Sequence, residues 1–406
     1  MQRNKIVIFA VMLLSCFGLA SVFLFSEKPP KVNPRIVSAN NEFAFNLYRE
    51  TLKEKGNENV FISPLSASIV LSMIYNGAEG ETKEQLADIL GVKGMSTEEM
   101  NQSNAALIES ITNPGRNVHL SVANSLWANS NIPINPQYAK RVKEQYKAGV
   151  TNLDFNNPHV PSTINAWVRD KTAGKIDNIV SEINSGDVLL LVDAIYFNGE
   201  WTKKFDKKLT KDMEFHLLDG TTKMHPMMHQ EGKYKFYGGT FSPEGFSAVR
   251  LPYGKGRYSM YIFLPNYGST LDQFYENLNR ENWEKWMSGF TERDVNIFIP
   301  KFKLQPQIDL QTTLKACGVG MIFDPSDADL GGMCNSNAWI SEFKQKTFIE
   351  VNEEGTKAAA ATHLRSTLSA GLRMVIDHPF FLVIRDDASG LILFMGSVTN
   401  PGIEIQ

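Results

Sequence analysis

Forty-four carboxylates, seven histidines and three cysteines give this 406-residue chain many groups that could do chemistry, so their spacing decides what they could do. A nucleophilic hydrolase would show a Gly-x-Ser-x-Gly elbow or a cysteine in a recognisable nucleophile motif, and neither Cys317 nor Cys334 sits in one. His225 and His229 stand four apart, as two metal ligands on one helical face would, yet Pro226 lies between them and no third ligand follows at a suitable spacing. They read as strand or surface histidines, and no metal is expected. The run "YGKGR" (253–257) has too few glycines for a phosphate loop and lacks a following lysine-serine pair, so it reads as a β-turn. Catalysis and cofactors are therefore not expected.

One stretch asks for a different chemistry. "EEGTKAAAAT" comprises Glu353, Glu354, Gly355, Thr356, Lys357, Ala358, Ala359, Ala360, Ala361 and Thr362, and its four alanines would ordinarily signal helix. The following "HLRSTLSAGLR" carries no apolar stripe at helical spacing. Read with a period of two, one face holds Thr356, Ala358, Ala360, Thr362, Leu364, Ser366 and Leu368, while Lys357, His363 and Arg365 all fall on the other. The first face is small or apolar and uncharged, and no proline interrupts it, as a strand entering a packed sheet requires.

The elements that must position this stretch begin with the N-terminus. Arg3 and Lys5 precede "IVIFAVMLLSCFGLASVFLF", an uncharged run at residues 6–25, and "SEKPPKVNP" follows as a proline-rich tether. The run just reaches bilayer-spanning length, while Gly18-Leu19-Ala20 offers a small-x-small cleavage site and Leu14-Ser15-Cys16 a weak lipoprotein-like one. The reading is an export segment at 1–32, either retained as a membrane anchor or cleaved, with the rest extracytoplasmic. A net charge of −3 with interspersed signs shows no basic stripe, which argues against nucleic acid as a partner. With Cys16 in the export run, at most one internal disulfide is possible, so cysteines do not build the scaffold.

Residues 33–406 contain no second linker and no repeat, and read as one folded unit. "NEFAFNLYRETLKEK", "SPLSASIVLSMIYNGAEG" with its Ser-Pro start, and "TKEQLADILG" ending on Gly91 are helical patterns. The remainder reads as mostly strand. "DVLLLVDAIYFNG" suits a strand buried on both faces, and "SAVRLPY", "YSMYIFLPN", "VNIFIPKFKL", "FFLVIRD" and "LILFMGSVTNP" continue the pattern. Helices first and strands later give an α+β expectation with a large sheet.

Seven segments in order then carry a family resemblance: "NVFISPLSASIVLSMIYNGAEGET", "NSLWAN", "DAIYFNGEW", "LPYGKGRYSMYIFLP", "IPKFKL", "FIEVNEEGTKAAAAT" and "DHPFFLVIRDDASGLILFMGSVTNP". Together they resemble the serpin family, inhibitory type, joined here to a prokaryotic-like export or anchor segment. The resemblance implies about nine helices, three β-sheets and an exposed reactive-centre loop at about 354–374. It implies a monomeric suicide substrate for a serine protease, in which the cleaved loop inserts into the large sheet and traps the acyl-enzyme. The alternative is a non-inhibitory member acting as a binding or chaperone module, for which bulky, charged or proline residues would be expected in the hinge.

On the resemblance, counting back from Pro379 places the scissile bond at Leu368–Ser369, counting forward from Gly355 by the family's usual loop length gives Ser369–Ala370 as second, and Arg365–Ser366 is third. A leucine on the amino side suits chymotrypsin-like or subtilisin-like pockets. The family's sheet-opening shutter maps onto Ser63 and Ser66, but its asparagine and histidine positions hold Asp193 and Gln345 here. The aspartate is expected to accept hydrogen bonds from the serine hydroxyls and the glutamine amide. Trp201 matches the tryptophan near the point where insertion begins.

Overall fold

The computed structural model describes residues 32–112, 117–239, 245–355 and 371–402. The export segment at 6–25, the loop from Thr356 to Ala370 and the scissile-bond candidates lie outside these residues. Among the described residues no helix is long and apolar enough to cross a membrane.

In chain order the first elements are α1 (Pro34–Lys55), β1 (Val60–Ile62), α2 (Pro64–Tyr75), α3 (Gly80–Ile89), α4 (Thr97–Thr112), β2 (Val118–Asn129), α5 (Pro136–Tyr146), β3 (Gly149–Leu153), α6 (Val160–Lys171) and β4 (Leu189–Gly199). There follow β5 (Lys211–His216), β6 (Thr222–Gly238), β7 (Phe246–Tyr253), β8 (Tyr258–Pro265), α7 (Leu271–Glu276), α8 (Arg280–Ser288), β9 (Thr291–Pro300) and β10 (Phe302–Leu304). The chain closes with β11 (Gln307–Asp309), α9 (Leu310–Ala316), β12 (Ile340–Val351), β13 (Leu372–Val375), β14 (Phe380–Asp386) and β15 (Leu391–Val398). The α+β expectation holds, with nine α-helices among the described residues.

Local chemistry explains several boundaries. Ser63, in an extended conformation, caps α2 by accepting from Ser66 N at 3.2 Å, and Pro64 fills the first helical position where its missing N–H costs nothing. Every residue of α2 is buried, so it lacks an amphipathic stripe and runs through the core. The later part of the chain is less purely strand than its sequence suggests. Asn135 and Pro136 start α5, whose buried Tyr138, Val142 and Tyr146 recur every four residues.

Two hydrogen-bonded sheets form, ordered β10-β12-β4-β2-β3 and β1-β15-β14-β8-β7-β6-β9-β13. The second turns on β6, whose first residues, Thr222–Met227, pair with β5, whose Met227–Phe236 pair with β9 and whose last four pair with β7, so one long strand joins all three. In the first sheet β4 is antiparallel to β2 and parallel to β12. Its alternate residues enter two cores: Leu189, Leu191 and Ile195 face the main core with α2, while Leu190, Val192, Ala194 and Tyr196 pack with α6. The strand is buried on both faces, as its unbroken apolar run requires.

Candidate functional site

The chain leaves β12 at Val351 and turns at once. Asn352 and Gly355 form a bridge, with Gly355 N donating to Asn352 O at 3.2 Å and Glu354 N to Asn352 Oδ1 at 3.0 Å. Gly355 has φ of 91°, and a Cβ there would stand 2.2 Å from Gly199 O, 2.5 Å from Trp201 N and 2.7 Å from Glu200 Cα. Only glycine fits, because both the backbone conformation and the close approach exclude a side chain.

This turn is strapped against the end of β4. Trp201 N donates to Glu354 O at 3.2 Å, Phe205 N to Glu353 O at 2.8 Å, and the Trp201 indole Nε1 to Asn352 O at 2.9 Å. The buried Trp201 ring stacks on Tyr253 at 4.3 Å with an interplanar angle of 12°. Trp201 thus lies directly against the 352–355 turn. The Glu353 carboxylate is buried and meets Lys301 Nζ at 2.9 Å, with Thr210 Oγ1 donating to its Oε1 at 2.8 Å. Burial alone would raise this carboxyl, but the bonds from Lys301, the backbone and Thr210 prevail and hold it below its ordinary value. Lys207 pairs with Glu354 at 2.7 Å on the exposed side.

Lower in the same sheet, the four shutter candidates do come together. Asn124, Asp193 and Gln345 lie side by side across β2, β4 and β12 and face the N-terminus of α2. Asp193 Oδ1 lies 2.6 Å from Ser66 Oγ, and its Oδ2 accepts from Gln345 Nε2 at 2.6 Å. Gln345 also binds both backbone groups of Ser63, accepting from N at 3.0 Å and donating to O at 3.0 Å. One expected bond is redirected: the Ser63 hydroxyl donates to Leu393 O on β15 at 2.8 Å, away from Asp193. A carbonyl lies within reach there, and the Ser63 oxygen is already committed to capping Ser66 N.

Asp193 is fully buried, and burial pushes its carboxyl up to about 7 despite the opposing hydrogen bonds from Ser66 and Gln345. The Asp193–Gln345 bond spans the seam between β4 and β12, so those strands cannot part without breaking it. Sequence reasoning missed Asn124, Lys301, Thr210 and Asn352. Asn124 sat in the quoted "NSLWAN", but only the β2–β4 register brings it to Ser66. Among the described residues Cys317 and Cys334 are free, and no group of histidine, cysteine or acidic side chains could hold a metal. His225 and His229 both lie within β6, with His225 Nε2 at 2.5 Å from Lys301 O and His229 Nε2 at 2.6 Å from Asn296 Oδ1.

A family profile described as Serpin (serine protease inhibitor) matches residues 38–401. The leukocyte elastase inhibitor of Xenopus tropicalis is 36% identical over 392 residues, covering 90% of this chain and 99% of that one. Among solved structures, native Tengpin, a thermophilic serpin, superposes with a TM-score of 0.84 at 28% identity, covering 92% of this chain and 96% of that one. Human thyroxine-binding globulin in complex with thyroxine gives 0.84 at 28% identity, covering 90% of this chain and 98% of its own.

Proposed function

The chain belongs to the serpin family, and from that premise we propose that it is a suicide-substrate inhibitor of a serine protease, of chymotrypsin-like or subtilisin-like preference. The observation that carries this reading is the seating of Gly355 at the end of a parallel strand pair. Because β4 and β12 run parallel, a segment that reverses direction at the 352–355 turn is antiparallel to both. One strand entering that seam can therefore complete two antiparallel ladders at once, which accounts for the small, uncharged alternate residues from Thr356 onward.

In the reaction the protease supplies the nucleophile. Its serine Oγ bonds to the Leu368 carbonyl carbon, the Leu368–Ser369 peptide bond breaks, and the Ser369 nitrogen leaves as an amine carrying a proton. The loop, now an ester on its carboxyl side, is free to insert, and the protease is displaced before water can cleave the ester. The exposed-loop state is held kinetically and the inserted state is lower in free energy. The site of action proposed is extracytoplasmic, with residues 6–25 serving for export or anchoring.

The thyroxine-binding globulin likeness keeps a non-inhibitory binding module as the second reading. Incubation with chymotrypsin and subtilisin followed by denaturing electrophoresis separates the two. A covalent complex that survives boiling in detergent is expected, whereas loop cleavage with no complex supports the second reading.

A further inference from the structure

Ser66 Oγ lies 2.6 Å from Asp193 Oδ1 and 3.1 Å from Asn124 Oδ1, two oxygens facing a hydroxyl that owns one hydrogen. With Asp193 ionised, that hydrogen can satisfy only one of them. A protonated Asp193 lets its Oδ1–H donate to Ser66 Oγ and Ser66 Oγ–H donate to Asn124 Oδ1, with Asn124 Nδ2 left buried and unpaired. Turning the Asn124 amide over would pair Ser66 with an ionised Asp193 as well, so what favours the proton is the full burial of Asp193 and the lack of a neighbouring cation. Gln345 Nε2 then donates to the remaining carbonyl oxygen, Oδ2, at 2.6 Å.

Among the described residues no cation compensates an ionised Asp193. Within α2 the only ionisable side chain is Tyr75, at the far end of the helix, and neither β1 nor β15 contains one. On β2 the only ionisable side chain is His119, which pairs with Ser121 and opposes Asn198, far from the Asn124–Asp193 pair. On β4 it is Tyr196, which belongs to the opposite face with α6. Along β12, Glu342, Lys344, Lys346 and Glu350 alternate with Gln345 and so lie on that opposite face as well, Lys346 Nζ bonding Asn178 O across from α2.

The geometry points to Asp193 as a protonated clasp between β4 and β12, so that parting of these strands is coupled to release of its proton and becomes easier as pH rises. The neutral carboxyl is stable in the closed, dry seam. An anion there gains by reaching water, which only separation of the strands allows. The pull of burial on Asp193 acts in the same direction. This inference concerns the closed sheet and holds whether or not the loop inserts during inhibition.

The test uses the full chain without protease. Carbon NMR of labelled aspartate carboxyls, with the Asp193 signal identified by its loss in Asp193→Asn, should show a titration midpoint near neutrality; a midpoint in the ordinary carboxylate range overturns the proposal. Deuterium exchange of β4 and β12 amides, corrected for intrinsic chemistry, should show opening rising by roughly tenfold per pH unit between the ordinary aspartate range and that midpoint, and levelling off above it. In Asp193→Asn the corrected opening should be flat, and an unchanged pH dependence in that variant overturns the coupling. Should Asp193→Asn fail to fold, infrared spectroscopy of the parent decides: a buried protonated-carboxyl band below neutrality that vanishes above it supports the clasp, and its absence at both overturns it.

Discussion

Replacing Gly355 by alanine isolates the hinge turn. At φ of 91° an alanine costs about 1 kcal/mol or more in backbone strain, and the overlaps with Gly199 O, Trp201 N and Glu200 Cα involve backbone that no rotamer change relieves. The turn must therefore shift, giving up the Trp201 N–Glu354 O and Gly355 N–Asn352 O bonds at about 1 kcal/mol each, for a total near 3 kcal/mol. Unfolding entropy of roughly 0.8 kcal/mol per kelvin for the folded unit converts this into a Tm drop of about 4 °C. The proposed insertion sharpens the experiment. Once the loop is cleaved and inserted, residue 355 must become extended, where alanine carries no penalty, so cleaved Gly355→Ala should melt with cleaved parent. Scanning calorimetry of the four species checks both halves, with the cleaved parent expected well above the intact one. An intact variant melting with the intact parent would refute the left-handed turn; a Tm deficit that persists after cleavage would refute the extension of the hinge.

Three further outcomes are expected. Glu353→Gln should destabilise the protein by about 1–2 kcal/mol by leaving Lys301 without its anion; because the Glu353 carboxyl is depressed in the fold, its contribution is present above the ordinary glutamate pKa and fades as pH falls through the folded value, so urea midpoints of parent and variant should converge in acid. Leu368→Arg should move inhibition from chymotrypsin-like to trypsin-like proteases, read as second-order inhibition rates, and unchanged chymotrypsin inhibition would place the scissile bond elsewhere. Thr356→Arg should turn the inhibitor into a substrate, because an added barrier of about 1.4 kcal/mol slows insertion tenfold against deacylation; Lys357→Glu is the matched control, and an unaltered stoichiometry of inhibition in Thr356→Arg would refute the inward register.

Much of the frame is legible in the sequence because near neighbours encode it. Ser63 and Pro64 announce the start of α2 through a cap and a missing N–H, and the apolar run ending in "YFNG" states that β4 is buried on both faces. Gly355 marks a bend that the structure shows, whereas the small alternate residues after it lie outside the described residues and remain an expectation of a strand. The second sheet's continuity was not legible, since the buried alternation of β6 shifts by one residue at Met227–Met228, where pairing passes from β5 to β9, and that shift names neither neighbour. The site itself was only half visible. Ser66 and Asp193 are separated by 127 residues, Ser63 and Gln345 by 282, and neither local pattern names its partner. Asn124 and Lys301 lay within quoted segments, but neither was given a role. Their roles depend on the register of β2 against β4 and on the turn of Glu353 toward Lys301, and those are fixed by packing of the whole sheet over α2. The sequence by itself determined which residues cap, bend and alternate, because those are properties of a few adjacent bonds; tertiary structure alone decided that a buried carboxyl closes the seam between β4 and β12, because burial and hydrogen-bond partners are set by chain segments that meet only once the sheet is assembled.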